Sequence, residues 1–354
     1  MKATIEASRH GRGVGKILLL TLALSINPAH ARAYSPVAGR HGMVVTSEPR
    51  ASEVGVRVLR EGGNAVDAAV GVGFALAVTY PYAGNIGGGG FMLIRMARGK
   101  SVVIDYREEA PAAASRTMYL DAHGRIVPRA STVGALSSGV PGTVAGLALA
   151  EQRFGKLGLP RVMAPAIELA QRGFPVSAWL SESLREHQAL LARFPASRRI
   201  FLQNGTLYRP GDIFVQPALA RTLEEIARRG PYAFYQGAIA AGIVRTEQRL
   251  GGIINRADLK NYQAKLRQPL IGRFRGYTMI TVPPPSSGGI ALIEMLNMLE
   301  PLDLRPPDSY GAMHLIIEAM RRGYADRATY LGDTDFVHVP VRTLTSPEYA
   351  ARLR

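Results

Sequence analysis

The stretch Gly84-Asn85-Ile86-Gly87-Gly88-Gly89-Gly90 constrains the fold of this chain more than any other feature. Ahead of it, residues 65–78 carry Ala, Val and Gly on nearly every face of a helical pattern. A helix apolar all round must be buried on several sides, and Pro81 stops it. Behind it, Phe91-Met92-Leu93-Ile94 reads as an apolar strand. Glycine has no Cβ, so consecutive glycines let a backbone come close to another backbone or to a ligand. A phosphate-cradling loop needs Gly-Lys-Ser/Thr at its end, and here Phe91 follows. What remains is close packing of backbone between helix and sheet.

The rest of the pattern surrounds that unit. Met43 to Thr46 reads as a strand. Ala51 to Arg60 reads as an amphipathic helix, with Ala51, Val54, Val58 and Leu59 at core spacing and Glu53, Arg57 and Arg60 facing water. Glycine readily takes the left-handed cap conformation, so Glu61-Gly62-Gly63 ends it. Phe91 to Ala97 and Ser101 to Tyr106 are expected as a hairpin turning at Arg98-Gly99-Lys100. Helical segments bounded by Gly or Pro follow near Val144–Phe154, Arg161–Arg172, Ala178–Leu191, Pro217–Arg229 and Ile239–Leu250. Leu266 to Phe274 and Tyr277 to Val282 read as a second hairpin around Arg275-Gly276. Helices are then expected over Ile290 to Leu299 and Tyr310 to Tyr330. Strands followed by blocks of helices predict a layered α/β domain rather than a Rossmann alternation.

The N-terminus carries an export pattern. Lys2, Arg9, Arg12 and Lys16 are a basic region, Ile17 to Ile26 is an apolar core, and Ala31-Arg32-Ala33 is an A-x-A cleavage site. Residues 1–33 are expected to be a signal peptide, leaving a mature domain over 34–354. The alternative is an uncleaved anchor, although the core is short for a membrane span. The mature part is then periplasmic or secreted, with no membrane association after cleavage. The chain has a net charge of +16, and nucleic-acid binding would gather basic residues with aromatics. Here arginines are spread along the chain and aromatics make up only 7% of it, so no nucleic-acid partner is expected. Zero cysteines exclude disulfides, thiolate metal sites and cysteine nucleophiles.

Several residues invite a chemical reading. Arg107 lies just past a predicted strand in Asp105-Tyr106-Arg107-Glu108-Glu109-Ala110-Pro111. A guanidinium fork matches a carboxylate with two parallel hydrogen bonds. From the residues alone a surface ion pair with Asp105, Glu108 or Glu109 is the favoured reading. Pro283-Pro284-Pro285-Ser286-Ser287-Gly288-Gly289 is not a serine nucleophile elbow, which needs G-x-S-x-G. Ser286 or Ser287 is expected to cap the following helix. Asp333 and Asp335 lack the glycine and distal glutamate of a calcium loop and read as turn residues. His41, His123, His187, His314 and His338 show no HExxH spacing. No metal site is assigned.

Taken together, Asp105 to Pro111, the Pro283 to Gly289 string, and Glu318-Ala319-Met320-Arg321-Arg322-Gly323-Tyr324-Ala325-Asp326-Arg327 with Tyr330-Leu331-Gly332-Asp333 resemble the gamma-glutamyltransferase (glutathione hydrolase) family. The glycine run fits too, and the resemblance extends from about Ala38 to the last residue. One departure is Tyr106, where the family commonly has Phe.

The resemblance implies the four-layer α-β-β-α sandwich of N-terminal-nucleophile hydrolases, incomplete without a small subunit. It implies cleavage of gamma-glutamyl amides such as glutathione, with transfer to water, amino acids or peptides, and no cofactor. It assigns to Arg107 the α-carboxylate of the gamma-glutamyl group. The nucleophile it implies is an N-terminal threonine, freed by self-cleavage of a precursor, whose α-amine can act as its base. That threonine opens the small subunit, after a Thr-Thr-His-like junction. No such string occurs here, so residues 34–354 are expected to be a large-subunit domain that stops short of the junction. Thr343 and Thr345 precede it, and no catalytic residue is assigned in this chain. The partner expected is the small subunit bearing the threonine. The alternatives are a related amidohydrolase of the same superfamily and a non-catalytic truncated chain.

Overall fold

Pro49 opens helix α1 (Pro49–Arg60) at the one place where its missing N–H costs nothing. The Glu48 carboxylate caps that helix by accepting from Ala51 N–H at 3.1 Å. This computed structural model describes residues 37–354, so the expected signal peptide lies outside the described residues. Val44–Arg354 form one unit. The all-apolar pattern becomes α2 (Ala65–Thr79), started by a reciprocal capping box between Asn64 and Asp67. As its composition demands, α2 is buried on several sides, against α1, α3 (Thr143–Phe154) and α4 (Leu159–Arg172). Its small residues set the approach: a Cβ at Gly73 would come within 2.8 Å of Leu147.

Asp67 also fixes the connection between α3 and α4. Its Oδ1 accepts from Lys156 and Leu157 N–H at 2.8 and 2.7 Å. Glu151, also buried, lies beside it and accepts from Gly158 N–H at 2.8 Å. Burial first, and then Asp67, push the Glu151 carboxyl up to about 7. Burial also works against the Asp67 anion, but the N–H groups of Leu157, Asn64 and Lys156 outweigh it and hold that carboxyl below its ordinary value. Below about pH 7 Glu151 keeps its proton while Asp67 stays ionised.

After the glycine run, β1 (Phe91–Arg95) and β2 (Ser101–Asp105) pair antiparallel, Phe91 opposite Asp105 and Arg95 opposite Ser101. Gly99 turns the hairpin at φ 82°. Beyond α4 come a small two-stranded ladder of β3 (Phe174–Pro175) with β4 (Ile213–Phe214), and between those strands α5 (Ala178–Glu186), α6 (Gln188–Ala192) and α7 (Pro195–Phe201). Helices α8 (Pro217–Arg229), α9 (Pro231–Tyr235), α10 (Ala238–Leu250) and α11 (Arg256–Asn261) follow. One large core joins α1–α4 to this helical block.

The C-terminal part holds β5 (Lys265–Arg267), the hairpin β6 (Leu270–Phe274) and β7 (Tyr277–Thr281), and helices α12 (Gly288–Leu299), α13 (Tyr310–Tyr330), α14 (Val341–Leu344) and α15 (Pro347–Leu353). Its buried apolar residues form two small clusters. Tyr349 Oη donates to Asp326 Oδ2 at 2.6 Å and ties α15 to α13.

Three expectations need correction. The strand read from Leu266 to Phe274 is two strands, because Pro269 has no N–H for a ladder. Its first part, β5, joins β2 with Val103 opposite Arg267 and Asp105 opposite Lys265; the rest pairs with β7. The helix read from Ala178 to Leu191 is interrupted at His187, whose backbone leaves the helical region with φ −100° and ψ 7°. Met43 to Thr46 carries no strand. Val44 packs on Gly55 of α1, while Val45 is 81% exposed.

Candidate active site

The glycine run and the Arg107 segment are one piece of backbone. Gly90 and Tyr106 exchange N–H to carbonyl bonds of 3.2 and 3.0 Å, carrying the β1–β2 ladder into the run. Gly88 O accepts from Gly142 and Thr143 N–H at 2.7 and 2.9 Å, so the run also serves the first turn of α3. A Cβ at Gly89 would collide with Tyr106 O and come within 2.8 Å of Glu108 N. Gly84 and Gly89 serve backbone contact, as the residue order predicts, while a Cβ at Gly88 or Gly90 would meet the side chains of Asn85 or Tyr106.

This frame delivers Arg107 to a cleft of about 500 Å³. Asp105, Glu108, Glu109, Tyr262, Lys265 and Arg267 line it together with Pro285, Ser287, Arg327 and the Leu331 to Asp333 turn. Asp105 is only 6% exposed. Its Oδ1 accepts the Arg107 N–H at 3.1 Å and its Oδ2 accepts Arg267 Nε at 2.7 Å. The other two arms of Arg267 reach both oxygens of Asp335, at 3.1 and 2.9 Å. Lys265 Nζ donates to Asp335 Oδ2 at 2.8 Å and to Glu109 Oε1 at 3.2 Å. Hydrogen bonds from Arg267 and then Lys265 hold the Asp335 carboxyl well below the usual carboxylate range. The pairs in turn raise Arg267, chiefly through Asp335, and Lys265, again chiefly through Asp335.

The guanidinium of Arg107 has no part in this network. Asp105 and Glu109, two of its three expected partners, are engaged by Arg267 and Lys265. Among the described residues no ion pair or hydrogen bond joins the Arg107 side chain to any group, Glu108 included. An exposed guanidinium in a cleft, with Asp105 and Glu109 committed to other cations and no bond to Glu108, can take a carboxylate from outside the chain.

Also lining the cleft, Ser287 is the N-cap position of α12 but makes no capping bond with its side chain. Its Oγ accepts Arg327 Nε at 3.0 Å instead, and Ser286 Oγ stands 3.4 Å from Gly288 N. Of the two expected caps, Ser287 is overturned because Arg327, from α13, takes its hydroxyl, and the long bond from Gly288 N–H to Ser286 Oγ is what reaches the first turn of α12. Asp333 is the turn residue expected, accepting from Asp335 N–H at 2.9 Å. Asp335 is more, the shared anion of Lys265 and Arg267. Sequence reasoning missed Tyr262, Lys265, Arg267, Asp335 and Arg327. One signal was available: alternate positions of a strand point the same way, so Lys265 and Arg267 share a face.

These features define a mixed helix-and-strand chain with an arginine-bearing cleft at one end of its glycine-packed hairpin. The gamma-glutamyltranspeptidase family model matches residues 51–354. The "Glutathione hydrolase proenzyme" of Escherichia coli (strain K12) is 47% identical over 323 residues, which is 90% of this chain and 55% of that protein. The "Acylase ACY 1 proenzyme" of Pseudomonas sp. (strain V22) is 42% identical over 327 residues, 90% of this chain and 59% of that protein. The crystal structure of Helicobacter pylori gamma-glutamyltranspeptidase superposes with a TM-score of 0.88 at 44% identity, covering 90% of this chain and 92% of that one. The chain belongs to the gamma-glutamyltranspeptidase family and has its N-terminal-nucleophile hydrolase fold. It spans little more than half the length of these curated relatives. Among the described residues no helix is long and apolar enough to cross a membrane.

Proposed function

We propose that this chain is the large-subunit portion of a gamma-glutamyltransferase, and that Arg107 binds the α-carboxylate of the gamma-glutamyl group. The observation that carries this reading is the Arg107 guanidinium, unpaired among the described residues in a cleft whose acids Asp105 and Glu109 already have cationic partners. The chemistry needs a second polypeptide segment, the small subunit. Its N-terminal threonine hydroxyl attacks the gamma-carbonyl with its own α-amine as base. An ester forms to the threonine oxygen, the amide C–N bond breaks, and the amine leaves with the proton. Water or an acceptor amine then attacks the ester, releasing glutamate or a new gamma-glutamyl amide and restoring the threonine. Arg107 fixes the far end of the donor so that the carbonyl meets the nucleophile. The natural donor is glutathione or a related gamma-glutamyl compound.

The surface supports a partner. Met313, Ile317, Met320 and Tyr324, at 49, 51, 43 and 55% exposure, form one stripe along α13. An exposed apolar stripe on one helix face suits a protein interface, and the small subunit is its occupant in this reading. Export of residues 34–354 to the periplasm or medium, after cleavage behind Ala33, belongs to the same reading. The likeness to an acylase proenzyme keeps a second substrate class in view, an acyl amide without the gamma-glutamyl head.

The test is kinetic, on the enzyme completed by co-expression with a matching small subunit. Arg107→Ala should weaken gamma-glutamyl donors by about 2–5 kcal/mol in kcat/KM while self-cleavage of the precursor continues. Arg107→Lys should recover only part, because a point charge cannot reproduce the fork. Unchanged KM and kcat in the Ala variant would return Arg107 to the solvated surface. Preference for acyl amides lacking an α-carboxylate would favour the acylase reading.

A further inference from the structure

We infer that Tyr262 is a positioning residue that aims Arg107, through a hydrogen bond from its hydroxyl to the Arg107 carbonyl; this rests on the reading that Arg107 holds the substrate carboxylate. A long side chain with no partner among the described residues takes its direction from its backbone. The Arg107 peptide units are held at both ends. The N–H goes to Asp105 Oδ1 at 3.1 Å, and the carbonyl accepts from Tyr262 Oη at 2.8 Å. Asp105 and Tyr262 are 6 and 7% exposed, so water competes little for either bond.

Tyr262 is itself built in. Its ring stacks on Tyr235, with centroids 5.7 Å apart and planes 8° apart. Tyr235 Oη donates to Pro141 O at 2.8 Å and accepts from Ala145 N–H at 3.2 Å, which anchors the stack to the start of α3. Between the two rings and the Arg107 segment lies Gly142, where a Cβ would collide with both Tyr262 Oη and Tyr106 O. The hydroxyl therefore reaches Arg107 O because a glycine makes room for it. Burial first, then Tyr235 and the acids Glu109, Asp105 and Glu108, push the Tyr262 phenol up. It remains a donor at any pH where the enzyme works. A core tyrosine kept only for packing needs none of this: a phenyl ring would stack as well, and the hydroxyl adds only the bond to Arg107.

The experiment is Tyr262→Phe in the two-subunit enzyme, with donor kinetics on a gamma-glutamyl anilide and competitive inhibition by L-glutamate. Phe keeps the ring and the stack. Expected are a rise of about five- to thirty-fold in donor KM and glutamate Ki, the size of one lost buried hydrogen bond, and a kcat within about twofold of wild type. Thr79→Val is the control: it removes a buried hydroxyl from α2, bonded to Ala75 O at 3.0 Å and away from the Arg107 segment, and should lower Tm while leaving KM within about twofold. The double variant Arg107→Ala/Tyr262→Phe should be no worse than Arg107→Ala alone, because the hydroxyl acts only through Arg107. Wild-type KM in Tyr262→Phe, or a further loss when it is added to Arg107→Ala, overturns the inference while leaving the role of Arg107 standing. Wild-type KM in Arg107→Ala overturns both.

Discussion

Helices α2 and α13 are built on opposite plans. Helix α2 turns Val66, Val70, Phe74 and Val78 inward, and neighbours cover it on several sides. Helix α13 buries Ala312, Ala319 and Gly323, its small residues, and leaves Met313, Ile317, Met320 and Tyr324 in solvent. Ordinary amphipathic helices put the large apolar side chains inside. Around α2 the core is closed. Along α13 small residues let α12 approach closely, and the large ones stay exposed among the described residues. Tyr277 and Phe336, in the same C-terminal part, are also exposed.

The largest expected effect lies in the closed region. Phe74→Ala removes a fully buried ring from the centre of α2 and should cost about 3–5 kcal/mol of stability, read from denaturant unfolding. A loss below about 1 kcal/mol would mean that this core is not packed as described.

A second effect is electrostatic and confined to the same region. Glu151, raised to about 7, holds its proton when folded and releases it when unfolded at an ordinary carboxyl value. The folded state then binds more protons, so its contribution is fully present below about pH 4.5 and is lost as pH rises through about 7. The slope is at most about 1.4 kcal/mol per pH unit. Glu151→Gln keeps a donor for Asp67 and should flatten stability against pH over that window. A slope identical to the parent would show that Glu151 is ionised in the fold.

The smallest effect on the chain by itself is expected on the open face. Ile317→Ser should change its stability by no more than about 0.5 kcal/mol, yet weaken assembly with the small subunit, measured by co-purification yield and complex dissociation. A large loss of stability in the chain alone, with assembly intact, would make the stripe on α13 part of a core and erase the contrast with α2.

Much of the architecture was legible in the residues, for reasons that also explain the failures. Pro217–Arg229 and Tyr310–Tyr330 have the bounds expected from their periodicity, because long periodic helices carry a strong signal. The short helices Pro195–Phe201, Pro231–Tyr235 and Arg256–Asn261 had too few turns to show a period. Pro269 divides the strand expected over 266–274. In the site, Arg107 stood out through its neighbours in sequence. Its surroundings did not. Asp105 and Arg267 are 162 positions apart and Arg107 and Tyr262 are 155 apart, so only the folded chain brings them together.

The central claim is that the chain holds the carboxylate-binding half of an enzyme whose nucleophile lies on another segment. The most direct measurement is release of amine from a gamma-glutamyl anilide by the purified 354-residue chain, against a no-enzyme blank, with and without co-expressed small subunit. The account predicts the blank rate for the chain alone and saturable turnover once the small subunit is supplied. Saturable turnover by the chain alone would place a nucleophile within residues 34–354 and contradict it.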